Sequence, residues 1–194
     1  MSVKVFQDNI FPRHVSDLMN LMHMVVFNGS DGEEQWQTYL SMKQKEYIAL
    51  SLAQYYQCDH CVTHHTRAVR HLDDIREKTL SWNINSMVLF LRIDTRAVSK
   101  SEKEHWIEAW QRFAKNIATE TGDQATPYLI GLAIGIARDD DFLIPFCGAE
   151  ATRILTEQGI EAREAVGELE SVVIFMKAAA SKNRVVNKIE GLFQ

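Results

Sequence analysis

Residues 58 to 65 read CDHCVTHH, with two cysteines and three histidines in eight positions. Thiols and imidazoles at this density suit metal binding, electron exchange or nucleophilic chemistry. On an ideal helix turning about 100° per residue, Cys58, Cys61 and His65 fall within roughly 60° of one another, so they share a face. His60 and His64 fall roughly on the opposite side. One ion could not then collect all five groups, and a zinc site would need ligands from elsewhere.

A Cys-x-x-Cys pair in the first turn of a helix brings its sulfurs within disulfide reach. There the free backbone N–H groups and the helix dipole favour the thiolate, which is the reactive species. His65 follows Cys61 by one turn on the same face, where a base for that sulfur belongs. A carboxylate to orient the imidazole is offered by Glu46 in KEYIALSLA. In one straight helix Glu46 would lie about 18 Å from Cys58 along the axis and could not reach the pair. A break between Tyr56 and Asp59, with Asp59 or the turn before it capping a new helix, would fold the chain back and bring Glu46 to His65.

The elements that must position these groups read as helices. Apolar residues recur at helical spacing nearly throughout, and only three prolines interrupt the 194 residues. A first helix is expected over 13–27, closed by NGSDG. Ser41 and Gln44 form a capping box that opens the helix through MKQKEYIALSLAQYY. After the helix carrying the cluster come KTLSWNINSMVLFLRI and a helix opened by Ser101 and Glu104 and ended by Gly122. Thr126 and Pro127 suit the N-cap and first residue of PYLIGLAIGIAR. FLIPFCGAEATRILTEQ, ending at Gly159, and EAREAVGELESVVIFMKAAA complete an all-α fold. With no linker-like stretch, residues 1–194 are expected to form a single domain, long enough to bury one sizeable core.

A faint echo runs at a spacing of 86 residues: Cys61 maps to Cys147, Thr66-Arg67 to Thr152-Arg153, and Val88-Leu89-Phe90 to Ile174-Phe175-Met176. Two degenerate helical repeats are one reading of it, and the shared apolar spacing of any two helical hairpins is the other. The net charge of -5 is spread without a basic stripe, which argues against a nucleic-acid partner. The N-terminus lacks a signal-like apolar region and no run approaches the ~18 apolar residues of a membrane span, so a cytoplasmic protein is expected. Cys147 reads as a small buried hydrophobe. Trp106 and Trp110 read as an apolar seam that could bury itself against another subunit. Asp139, Asp140 and Asp141 read as a helix-starting acidic turn rather than a metal site. His14, His23, His64, His71 and His105 read as surface or packing residues.

Glu46, eleven residues, Cys58-Asp59-His60-Cys61, three residues and His65 together resemble the Glu-x11-Cys-x-His-Cys-x3-His signature of alkylhydroperoxidase D-like proteins, in the carboxymuconolactone decarboxylase superfamily. All five signature positions match, and the resemblance covers about residues 40 to 92. It implies a homo-oligomeric thiol enzyme of that fold type that reduces hydroperoxides and binds no metal or cofactor. Cys61 would be the attacking thiol, activated through His65 and Glu46, with Cys58 resolving and His60 beside the pair in a lesser role. An external dithiol, of lipoyl type, would recharge the disulfide. The chemistry is self-consistent, because a thiolate attacked by peroxide becomes a sulfenic acid that a neighbouring thiol condenses to a disulfide. The order of attack stays open, since the first sulfur of such pairs often attacks a partner disulfide. The rival is a redox adaptor passing electrons between a dithiol donor and another protein. A muconolactone-type decarboxylase, which needs no thiol pair, and a zinc-binding module stand behind it.

Overall fold

The computed structural model describes residues 13–28, 38–72, 77–95 and 98–190, and these form eight helices without a strand. They are α1 (Arg13–His23), running on into a π-helical turn at Met24–Asn28, α2 (Met42–Tyr55), α3 (Asp59–Leu72), α4 (Glu77–Leu91), α5 (Lys100–Thr121), α6 (Thr126–Arg138), α7 (Leu143–Glu157) and α8 (Ala162–Glu190). The all-α expectation holds.

Two helices fill the centre. Every residue of α2 from Gln44 to Ala53 is buried, and so is nearly all of α6 from Thr126 to Gly135. A helix buried all round must be wrapped by others. α2 and α6 pack on each other, α3 folds back on α2, α7 folds back on α6, and α8 lies against both central helices. Gly131 and Gly135 let α7 come close: a Cβ at Gly131 would stand 2.5 Å from Cys147 Sγ, and one at Gly135 would stand 3.0 Å from Leu143 Cβ.

The N-termini of the two central helices are tied together. The Ser41–Gln44 capping box forms, and Gln44 Nε2 donates across to Asp123 Oδ2 at 2.9 Å. Asp123 also accepts from the backbone N–H groups of Ala125 and Thr126 and from the Thr126 hydroxyl at 2.6 Å. Asp123 therefore serves as the cap expected of Thr126, which is instead the first helical residue with Pro127 behind it. Glu168 of α8 accepts from the N–H groups of Tyr39 and Leu40 and pairs with Lys45 at 3.4 Å.

Other boundaries differ in detail. The capping box of α5 uses Ser99 and Glu102, two residues before the expected pair. Both pairs fit the local pattern, and the helix extends back to the earlier one. Gly122 (φ 71°) and Gly159 (φ 75°) end α5 and α7 as expected. α8 runs on through the expected stop at Ala180, since nothing in SKNRVVNKIE breaks a helix.

The tryptophan seam is buried within the chain, not against another subunit. Trp106 stacks on Phe90 and Trp110 and meets Phe142 and Phe146 edge-on, and Trp110 is fully buried against Gly131. Helix α5 thus spends its aromatic face on α4, α6 and α7. Cys147 is fully buried beside it, and that burial pushes its thiol well above the usual range. Asp140 is a buried cap at the start of α7. Burial favours its neutral form, but N–H groups of Leu143 and Phe142, the Arg138 guanidinium and the Thr95 hydroxyl together hold its carboxyl below the usual range. Among the described residues no helix is long and apolar enough to cross a membrane.

Candidate redox site

The chain breaks where the sequence requires it. At the end of α2, Gln57 takes the left-handed conformation (φ 56°), its N–H donates to Gln54 O, and the N–H of Cys58 donates to Ala53 O at 3.0 Å. This pair of bonds is a Schellman turn with Gln in the position usually held by Gly. Arg92, just past the end of α4, closes the same end, donating to the carbonyls of Gln54 and Tyr55 while lying over the Tyr55 ring. The chain reverses in three residues.

Cys58 then caps α3. Its carbonyl accepts from Val62 N–H at 2.8 Å and its Sγ accepts from Cys61 N–H at 3.3 Å, the bonding pattern of an N-cap residue. The cap is thus Cys58 and not Asp59, which is exposed in the first turn where its charge suits the helix dipole. Cys58 and Cys61 are joined by a disulfide, S–S 2.10 Å and Cα–Cα 5.2 Å. Both are buried.

Cys61, His65 and Val69 form the buried stripe of α3, one residue per turn, facing α2 and α8. On that face Glu46 Oε2 lies 2.7 Å from His65 Nδ1, with both residues buried. The hydrogen bond engages Nδ1 and leaves Nε2 as the imidazole atom open to other chemistry. Phe27, from the π-helical turn after α1, packs its ring 5.5 Å from that of His65 and meets Phe175 of α8.

Cys61 and His65 line one small cavity with His60 at its exposed rim. His64 lines it too, so His60 and His64 flank the reactive stripe rather than oppose it. Residues one position apart differ by about 100° around the helix, within reach of an imidazole. His23, from the last turn of α1, closes another side, 5.7 Å ring to ring from His64. Burial, then the neighbouring His64 and His65, lower His23 to about 4 against a smaller opposing pull from Glu46. His64 is lowered as well, first by burial and then by His65. His71 and His105 are exposed, and the side chain of His14 lies outside the described residues.

The remaining wall is α8, which presents Phe175, Ala179 and Asn183 at four-residue spacing. Asn183 Nδ2 lies 3.4 Å from Cys58 Sγ and 3.5 Å from Cys61 Sγ. The structure therefore brings together every expected site residue, Glu46, Cys58, His60, Cys61 and His65, and adds His23, His64 and Asn183. The last three carried no usable sequence signal. His64 sat in the cluster but off the motif, and His23 and Asn183 reach the site only through packing of α1 and α8. Among the described residues no group of three or more His, Cys, Asp or Glu side chains is placed to hold a metal ion.

No protein-family model, curated protein or solved structure matches the chain.

Proposed function

We propose that the protein is a thiol-dependent hydroperoxide reductase working through Cys58 and Cys61, a distant relative of the alkylhydroperoxidase D-like proteins. The observation that carries the reading is the buried Glu46–His65 hydrogen bond beside Cys61. A structural disulfide needs no oriented imidazole, whereas a thiol that must lose and return protons does. Cys61 and His65 open onto the same cavity, which supports proton transfer between them.

In the cycle, His65 takes the Cys61 proton and Glu46 holds the resulting imidazolium. The Cys61 thiolate attacks the outer peroxide oxygen, the O–O bond breaks, Cys61 becomes a sulfenic acid, and the alkoxide takes the proton from His65 to leave as alcohol. Cys58, as thiolate, displaces hydroxide from Cys61, and that hydroxide leaves as water with a proton from solvent. The disulfide is then reduced by an external dithiol of lipoyl type. His60, exposed at the rim, is placed to meet what enters. Self-association is supported by Leu18, Leu21 and Val25, which leave an apolar stripe along α1 and the π-helical turn exposed.

One observation favours the adaptor reading. Beside the Cys58 turn lies an open groove of about 580 Å³ lined by Gln57, Asp59, Val62 and Trp82, the last 75% exposed, which offers a surface to a protein partner. Stopped-flow oxidation of the reduced protein by an organic hydroperoxide separates the two. Rapid loss of two thiols, with a sulfenic acid trapped in Cys58→Ser but not in Cys61→Ser, is expected. Thiols that resist peroxide yet are oxidised by a partner disulfide would leave the adaptor.

A further inference from the structure

The side-chain hydrogen bonds to Cys58 and Cys61 come from more than 120 residues away in sequence. A disulfide sulfur carries no hydrogen, so the NH₂ end of the Asn183 amide must face it, because only that end donates. Among the described residues, Cys58 Sγ thus receives two donors, Asn183 and the Cys61 N–H, and Cys61 Sγ receives Asn183 alone. Neutral sulfur is a weak acceptor, and hydrogen bonds to an ionised acceptor are roughly twice as strong as neutral ones. A donor fixed at this place therefore favours the reduced, ionised pair over the disulfide.

We propose that Asn183 is a catalytic residue that sets the redox poise of the pair by holding the thiolate released when the disulfide is reduced. This rests on the reading that the pair cycles between disulfide and dithiol. In the reduction, one sulfur of an external dithiol attacks Cys61 Sγ, the Cys58–Cys61 bond breaks, and Cys58 leaves as a thiolate under its two donors. The second sulfur of the reductant then displaces Cys61, closing a disulfide in the reductant. Two electrons pass to the protein, Cys61 leaves as a thiol, Cys58 stays a thiolate, and the remaining proton goes to solvent. The better-stabilised sulfur is the better leaving group, which directs the incoming thiol to Cys61. The Cys58 thiolate is then poised to resolve the sulfenic acid of the next turnover.

The test compares the full-length protein with Asn183→Leu, which keeps the size but cannot donate, and Asn183→Asp, which puts a negative acceptor on the sulfurs. The dithiol–disulfide equilibrium is measured against a dithiothreitol redox buffer, and the Cys58 thiolate is titrated by its ultraviolet absorbance in a Cys61→Ser background. Asn183→Leu is expected to shift the equilibrium about tenfold toward the disulfide, equivalent to ~30 mV, with the Cys58 titration about one unit higher. Asn183→Asp should shift both further. Should Asn183→Leu fail to fold, Asn183→Asp carries the comparison alone. Equilibrium and titration at wild-type values in the variants would overturn the proposal even if stability fell, since that is the signature of a packing role. A wild-type pair inert to hydroperoxide whose equilibrium still depends on Asn183 would instead overturn the peroxidase reading and leave this one standing.

Discussion

Glu46 Oε2 and His65 Nδ1 lie 2.7 Å apart, although an unbroken helix from 46 to 65 would hold their backbones about 28 Å apart. The three-residue reversal at Tyr56–Cys58 makes the contact. Glu46→Gln keeps the shape and a hydrogen-bonding oxygen but removes the charge that steadies an imidazolium. The rate of reaction with hydroperoxide should fall about a hundredfold while the same two thiols remain oxidisable. His65→Ala leaves the Glu46 carboxylate buried without its partner and should lower unfolding free energy by about 3 kcal/mol in urea titrations. Wild-type peroxide kinetics in Glu46→Gln would remove Glu46 from the mechanism.

Cys58 has a second task as the N-cap of α3. Under reducing conditions Cys58→Ser, which supplies a strong capping oxygen, should be at least as stable as the wild type. Cys58→Ala should be about 1 kcal/mol less stable. Equal urea midpoints for all three would show that the sulfur contributes nothing to the helix.

His23 links the site to pH. Its pKa is lowered from 6.5 to about 4 by burial and then by His64 and His65, with Glu46 opposing. The folded state therefore binds fewer protons here than the unfolded state. The stability present above about pH 6.5 is lost as pH falls toward 4, on the order of 3 kcal/mol in full. In His23→Phe, which keeps the ring contacts with Phe27 and Phe175, the drop in urea midpoint between pH 7 and pH 4 should be smaller than in wild type. Parallel pH dependence in the two proteins would assign the acid sensitivity elsewhere.

Gly131 is where α6, α7 and the tryptophan seam converge, with Cys147 Sγ 2.5 Å and Trp110 3.0 Å from where a Cβ would sit. Gly131→Ala should cost about 1–3 kcal/mol through overpacking. Adding Cys147→Ala removes the nearest atom, so the double variant should be more stable than Gly131→Ala alone. A destabilisation that the second substitution does not relieve would place the strain on Trp110.

Local chemistry carried most of the helices. Ser41 with Gln44, Gly122 and Gly159 act within one turn of themselves, so their roles were readable without the fold. Where two local signals compete, as Ser99–Glu102 and Ser101–Glu104 do, the sequence is degenerate and the boundary moved. Asp123 rather than Thr126 caps α6, taking the Ala125 and Thr126 N–H groups while Gln44 of another helix holds it in place. The tryptophan seam was readable as apolar, but which partner it met was not, because Phe90 comes from α4 and Phe142 and Phe146 from the start of α7, both distant from Trp106 in sequence.

By itself the sequence determined that the chain is helical, that Cys58, Cys61 and His65 share a face, and that the helix must break before Asp59 for Glu46 to matter. These follow from the 3.6-residue period and from groups within a few residues of one another. Tertiary structure alone decided that Phe27 would cover His65, that His23 would close the cavity, that His64 would turn inward, and that Asn183 would sit on both sulfurs. Those contacts depend on how α1 and α8 cross α2 and α3, which is set by the packing of whole helix faces and left no mark on residues 23 or 183.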